Sequence, residues 1–137
     1  DAETLFRRAV AVTGENWLAA NNLGAALSRQ GRHGEAAPHF ETALRLRPDY
    51  DEARFNLAAA LAGGRYAEAQ PLYRRVIARR PDFAAAHNNI AIAYAETGDF
   101  AAARFHFREA LRIRPDYREA LRNLEIAEGK GRIAKGP

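Results

Sequence analysis

A four-residue motif of arginine, proline, aspartate and an aromatic residue recurs three times along the chain. It occupies residues 47–50, 80–83 and 114–117, so that its prolines are Pro48, Pro81 and Pro115. A nearly fixed period of about 34 residues is typical of stacked copies of one small structural unit and argues against a single globular core. Repeats of this kind present an extended surface, and the spacing therefore favours binding over catalysis.

Apolar residues recur at matching positions in every copy of the repeat. In the first copy the large ones are Leu23, Leu27 and Phe40, with small residues between them. Spacings of three and four residues place such side chains on one face of an α-helix. Each copy is therefore predicted to be two amphipathic helices. The predicted joints are glycines: Gly31, Gly64 and Gly98.

This pattern resembles the tetratricopeptide repeat. The matching residues of the first copy are Trp17, Ala20, Leu23, Gly24, Leu27, Gly31, Ala36, Phe40, Ala43 and Pro48. The resemblance covers nearly the whole chain. It implies an all-α fold, in which antiparallel helix pairs stack into a right-handed superhelical solenoid with a concave inner surface.

The repeat register predicts a solenoid over residues 1–128. The expected segments are a second helix of a truncated preceding repeat at 1–16, full repeats at 17–50, 51–83 and 84–117, and a terminal capping helix at 118–128. Solenoids need a helix that covers the last apolar face. Residues 129–137 are expected to be a basic, disordered tail. Because the chain contains no Met, we expect it to be part of a longer protein.

Local signals predict where several helices begin. Asp49 and Asp116 each precede a glutamate by three residues, which is the spacing of a capping box. Pro38 and Pro71 fall early in two second helices, and proline is tolerated in a first turn but disrupts a helix interior. We therefore expect those helices to begin about three residues before each proline, or to bend there.

One polar column recurs in the first helices. It consists of Asn22, Asn56, Asn89 and Asn123, which follow one another once per repeat. A primary amide can satisfy the N–H and the C=O of one peptide unit. The column resembles the asparagine ladder of the O-GlcNAc transferase repeat domain, which implies that it lines the concave face and holds an extended peptide by its backbone. The same face is expected to include Asn21, Asn88, Phe55, Ile92 and Arg122.

The asparagine column also has a structural interpretation, since Asn is frequent there in the repeat and can bond a neighbouring helix. Four amides with two hydrogen bonds each contribute about 4–12 kcal/mol net. Ordering about nine peptide residues costs about 1–2 kcal/mol each. We therefore expect the ladder alone to bind weakly. Two other interpretations stay open: an assembly or spacer domain that docks folded partners or self-associates through its ends, and an accessory region of a larger membrane protein similar to glycosyltransferases.

Charge and composition argue against other functions. The net charge is +4, but three cations and no acid lie in residues 129–137, so the repeat body is nearly neutral. A nucleic-acid partner requires a basic stripe, and none is expected. The chain has no Cys, and its four His lack the spacing of a metal site. We expect no cofactor, no metal, no enzymatic activity and no direct membrane insertion, while the compartment stays undetermined.

Overall fold

A computed structural model of the chain describes residues 1–13 and 16–129, except for the side chains of residues 6 and 9–13. The regular elements in these ranges are eight α-helices, which confirms the predicted all-α fold class. They are α1 (Ala2–Thr13), α2 (Trp17–Arg29), α3 (His33–Leu46), α4 (Asp51–Leu61), α5 (Tyr66–Arg79), α6 (Ala84–Glu96), α7 (Phe100–Ile113) and α8 (Arg118–Glu128). The predicted disordered tail lies outside the described residues, apart from Gly129.

The chain divides into two compact units, residues 1–64 and residues 65–137. In the first unit α1 packs on α2, α2 on α3, and α3 on α4. In the second unit α5 packs on α6, α6 on α7, and α7 on α8. Within each unit, every helix therefore packs on its neighbour in sequence, while the right-handed superhelix stays a prediction. Among the described helices, none combines the length and the apolar character that crossing a bilayer requires.

The apolar columns of α2 and α3 form the core of the first unit. Leu23, Leu27 and Phe40 are each only 1% exposed. Gly24 lies directly against the ring of Phe40, and a Cβ built on this glycine would be 2.6 Å from Phe40 Cε1. The close approach of α2 to α3 therefore requires a residue without a side chain at position 24.

The same columns build the core of the second unit. Ala91 and Phe107 stand where the first unit has Gly24 and Phe40, and both are fully buried. They belong to one apolar cluster that also includes Leu124 of α8. The shared columns explain why two units with different residues pack their helices in the same order.

The predicted capping boxes are wrong. Helix α4 begins at Asp51, and its N-cap is Tyr50, which makes no side-chain cap hydrogen bond. Asp49 lies one residue further out and pairs with Arg47, with 3.3 Å between Oδ1 and Nε. Asp116 lies in the same place before α8. The motif closes a turn of its own, and this turn moves the helix start beyond the reach of the aspartate.

Side-chain caps occur instead at three helices whose starts the sequence did not lead us to expect to be capped. Asp1 Oδ1 accepts the N–H of Thr4 at the start of α1, at 2.8 Å. Asn16 Oδ1 accepts the N–H of Ala19 at the start of α2, at 2.7 Å. Asp99 Oδ1 accepts the N–H of Ala102 at the start of α7, at 3.1 Å. Each residue directly precedes its helix, which is the position that such caps require.

The two internal prolines lie in the second helical turn, and both helices begin two residues before the expected start. The alternative, a bend at each proline, stays a prediction. Helix α3 begins at His33 and contains Pro38. Glu35 is its third residue and forms an ion pair with Arg32, the N-cap, at 2.6 Å between Oε2 and Nε. An acidic residue in the first turn stabilises a helix start. Helix α5 repeats this arrangement with its own arginine and glutamate.

Candidate peptide-binding face

The recurring motif forms a closed turn directly before α4, α6 and α8. Its arginine lies over its own aromatic ring, with Cζ-to-centroid distances of 5.5 Å for Arg47–Tyr50, 4.3 Å for Arg80–Phe83 and 4.6 Å for Arg114–Tyr117. In each copy the aromatic residue's N–H donates to the arginine carbonyl at 3.1 Å. A cation over an aromatic face is attracted to it. The motif is therefore a structural device that orients an aromatic side chain.

In two of the three copies the aromatic residue is a tyrosine, and its hydroxyl is a hydrogen-bond partner for a buried asparagine. In the first unit Asn21 Nδ2 donates to the hydroxyl of Tyr50 at 3.1 Å. In the second unit Asn88 and Tyr117 occupy the corresponding positions, two repeats further along the chain, and share the corresponding hydrogen bond. Burial raises the pKa of both tyrosines, so their hydroxyls stay protonated at neutral pH.

Asn56 in the predicted ladder is partly committed to this internal network. Its Nδ2 donates to Asn21 Oδ1 across the contact between α2 and α4, at 3.1 Å. Asn21 is only 1% exposed and is bonded on both sides, to Asn56 and to Tyr50. Asn56 is half-buried and keeps its carbonyl oxygen and one N–H for other partners.

The second unit uses its asparagines differently. Asn88 is fully buried, and its Nδ2 donates to Glu119 Oε1 of α8 at 3.1 Å. Its Oδ1 has no donor among the residues that the structure describes. Asn89 is half-buried and hydrogen-bonds the hydroxyl of Tyr73 on α5. Internal partners therefore also occupy part of the hydrogen-bonding capacity of Asn89, the ladder residue of α6.

The structure places the predicted site residues in three environments. Exposed are Asn22 and Arg122, half-buried are Asn56, Asn89 and Phe55, and buried are Asn21, Asn88, Ile92 and Asn123. A buried amide cannot reach the backbone of a bound peptide. We therefore assign the buried residues to helix packing, which corrects the expectation that they line an open surface. The binding role of the other residues stays a prediction.

We give the name α2–α4 face to four exposed or half-buried residues of α2 and α4 in the first unit. It consists of Leu18, Asn22, Phe55 and Asn56. Leu18 and Asn22 are four residues apart on α2 and therefore neighbours on one side of that helix. Leu18 is 50% exposed, and Asn22 has no hydrogen-bond partner among the described side chains. The face therefore combines a free amide with apolar surface.

The histidines are arranged in a way that the sequence did not reveal. Nδ1 of His87 on α6 lies 3.0 Å from Nδ1 of His106 on α7. Within the described part of the chain, no three His, Cys, Asp or Glu side chains are grouped so that they could hold a metal ion. A pair separated by 19 residues on two helices has no sequence signature.

Two sequence signatures, both described as tetratricopeptide repeat, match residues 18–82 and residues 58–118. Three solved structures are similar to the chain. MamA has a TM-score of 0.88 at 20% identity, over 93% of this chain and 76% of that one. YrrB, described as a TPR protein with an unusual peptide-binding site, has a TM-score of 0.80 at 28% identity, over 87% of this chain and 62% of that one. An O-GlcNAc transferase mutant of Thermobaculum terrenum has a TM-score of 0.76 at 26% identity, over 82% of this chain and 22% of that one.

A curated relative is the protein O-mannosyl-transferase Tmtc2 of Drosophila melanogaster. It is 41% identical over 56 residues, which are 41% of this chain and 6% of that protein. The chain thus spans a small part of this relative, and the similarity concerns a repeat segment. Taken together with the repeat signatures and the paired helices, these matches show that the chain belongs to the tetratricopeptide-repeat family and is a protein–protein interaction scaffold.

Proposed function

We propose that the chain captures an extended peptide segment of a partner protein on the α2–α4 face. The observation that carries this proposal is the exposed amide of Asn22, which no described side chain engages, next to the exposed Leu18. Asn56 contributes the acceptor that its bond to Asn21 leaves available. In the second unit, Asn89 and Arg122 offer the corresponding accessible groups.

The chemistry of this face suits a peptide backbone. The Asn22 amide can accept a peptide N–H and donate to a peptide C=O at the same time. Each such hydrogen bond contributes about 0.5–1.5 kcal/mol net, so a few amides bind weakly by themselves. Leu18 and Phe55 add apolar surface, which contributes about 25 cal/mol per Å² buried. The proposed ligand is therefore an extended segment with apolar side chains.

Two comparisons support this proposal. YrrB, a repeat protein that is 28% identical to this chain, is described as having an unusual peptide-binding site. The O-GlcNAc transferase structure, whose repeat domain suggested the asparagine ladder, is similar over 82% of this chain. We assign no catalytic step to the chain, since the ionised side chains near its helix starts serve structural pairs such as Arg32–Glu35.

Substitution of Asn22 tests the proposal. A peptide array of unstructured segments identifies a binding peptide, and fluorescence anisotropy then measures its Kd. We expect Asn22→Ala to weaken binding by about 2- to 12-fold for each hydrogen bond to the peptide that is lost, and this amide can make two. The thermal unfolding midpoint should not change, since Asn22 has no internal partner among the described residues.

Gln30→Ala provides the matched control. Gln30 is an exposed amide at the C-cap of α2, outside the α2–α4 face, and its Oε1 accepts from Arg32 at 3.0 Å. This variant should bind the peptide as the wild type does. Equal affinity of the Asn22→Ala protein, or no array peptide bound above background, would exclude the α2–α4 face as the site.

A second candidate function rests on the similarity to Tmtc2. In that case the chain would be an accessory repeat region of a larger, glycosyltransferase-like membrane protein, and the peptide would belong to its substrate or to an assembly partner. The 41% identity over 56 residues supports this candidate. Sequencing the complete reading frame tests it, because an adjoining set of membrane spans and a transferase domain would be present or absent.

A further inference from the structure

A buried histidine pair connects α6 to α7 in the second unit. His87 on α6 is 4% exposed, and its Nδ1 lies 3.0 Å from Nδ1 of His106 on α7. On the other side of the ring, His87 Nε2 lies 2.9 Å from the carbonyl oxygen of Pro81. Both nitrogens of His87 are therefore engaged, one by a backbone group and one by a side chain.

These contacts determine where the protons of the neutral pair reside. A carbonyl oxygen only accepts, so the proton of neutral His87 must be on Nε2. Its Nδ1 then has a lone pair, and His106 Nδ1–H donates to it. The bond between the two rings requires one Nδ1 with a proton and one without.

The surroundings of His106 disfavour additional positive charge. Its ring stacks on Tyr94 of α6, with centroids 5.7 Å apart, and the hydroxyl of Tyr94 accepts from Arg74 of α5 at 3.1 Å. Burial and the neighbouring His87 lower the pKa of His106 to about 4. Glu109 on the same helix opposes this decrease, but its carboxylate is paired with Arg112 at 3.2 Å.

The groups on the far side of α7 are directed to α8. Arg108 pairs with Glu128 at 3.1 Å, and Arg104 reaches the carbonyl oxygen of Ala127 at 3.5 Å. Among the charged groups that the structure places near the pair, Glu109 is therefore the one that favours protonation, and it already has a cationic partner.

We propose that the His87–His106 pair is a pH-responsive latch that holds α7 on α6 at neutral pH and loosens in mild acid. The pair can accept one proton while its bond stands, because a second proton would place N–H groups on both facing nitrogens. The two histidines of the unfolded chain each take up a proton near pH 6.5. Since the unfolded state then binds more protons than the folded state, stability falls as the pH falls below about 6.5.

Denaturant unfolding at two pH values tests the latch. If the folded state binds one proton fewer than the unfolded state, the folding equilibrium constant falls by about 30-fold between about pH 7.5 and about pH 5. In a His106→Asn variant the amide can either donate to His87 or accept from it. Protonation of His87 then leaves the bond intact, so this variant should lose most of the 30-fold decrease.

His39→Asn is the matched control. His39 occupies the same column of α3, two repeats earlier in the chain, but Ala20 stands where the second unit has His87. It is half-buried, and burial also lowers its pKa, so this control measures what a single histidine contributes. The variant should retain the larger part of the decrease. Equal decreases in the wild type and His106→Asn, or an equal loss in both variants, would overturn the proposal.

A measurement on the wild type remains decisive if His106→Asn fails to fold. Side-chain NMR of ¹⁵N-histidine-labelled protein follows each ring between about pH 7.5 and pH 5. The latch requires that at most one of the two rings becomes cationic while the unit stays folded. If both rings titrate near their ordinary pKa with the α6 and α7 amide signals unchanged, the pair is not a latch.

Discussion

At the scale of one residue, the adjacent asparagines Asn21 and Asn22 have different environments and therefore different roles. Asn21 is 1% exposed and connects Tyr50 of the motif to Asn56 of α4. Asn22 is exposed and has no partner among the described residues. One step along a helix is a rotation of about 100°. The same amide therefore stabilises the unit at one position and is offered to solvent at the next.

This difference predicts opposite results for two alanine substitutions. Asn21→Ala leaves Tyr50 and Asn56 without their buried partner and should lower the free energy of unfolding by about 1–3 kcal/mol. Asn22→Ala should change it by less than about 0.5 kcal/mol. Chemical denaturation of both variants measures this, and equal losses would contradict the assignment of Asn21 to the interior.

Gly24 gives a second prediction at the residue scale. Alanine is the better helix former by about 1 kcal/mol, but its Cβ would be 2.6 Å from a ring atom of the buried Phe40. Overpacking costs about 1–3 kcal/mol, so Gly24→Ala should lower stability on balance. Gly34→Ala on α3 is the control, since a Cβ there has nothing within 4 Å. A stabilised Gly24→Ala protein would mean that α2 and α3 are further apart than described.

At the scale of the element, the helix starts depend on which polar residue directly precedes them. Asp99 caps α7 because it stands immediately before Phe100 and reaches the N–H of Ala102. Asp116 has the same residue type but stands before Tyr117, the N-cap of α8, which makes no side-chain cap hydrogen bond. The turn of the motif, and not the presence of an acid, decides where the helix begins.

The two aspartates therefore predict different effects on stability. Asp99→Ala should cost about 0.5–2 kcal/mol, since the start of α7 loses a bonded N–H. Asp116→Ala should stay within about 0.5 kcal/mol of the wild type. Asp99→Asn separates the cap from the charge, because asparagine caps equally well. Thermal unfolding measures all three variants. A large loss of stability in Asp116→Ala would support a capping box at α8 after all.

At the scale of the whole molecule, two units with corresponding columns use them differently. The amide pair of the first unit, Asn21 and Asn56, is bonded directly. In the second unit Asn88 donates to Glu119 instead, and His87 and His106 form a contact for which the first unit has no counterpart. We therefore expect mild acid to lower the stability of the second unit more than that of the first.

The exposed surface of α1 carries a prediction about assembly. Leu5 is 64% exposed, and large exposed apolar side chains favour self-association. We expect a weight-average mass that rises reversibly with concentration in light scattering. Leu5→Glu should reduce this rise, while Arg7→Glu, elsewhere on the same helix, serves as the control for added negative charge. A monomer at every accessible concentration would exclude self-association through the exposed surface of α1.

The repeat period and the apolar columns were sufficient to predict an all-α fold of helix pairs. This prediction succeeded because helix formation and an amphipathic face follow from residues three and four positions apart. The errors at helix starts are small and have local causes. The two additional residues at the start of α3 accompany the Arg32–Glu35 ion pair, and the start of α4 follows the closed turn around Tyr50.

The sequence by itself thus determined the helices, their order and the columns from which a binding face could be drawn. Tertiary packing decided which members of those columns are accessible, because a neighbouring helix covers Asn21 and Asn88 and leaves Asn22 open. It also brought His87 against His106, 19 residues away. Burial and long-range hydrogen bonds depend on how helices approach one another, and this distance is a property of the packed units rather than of any local pattern.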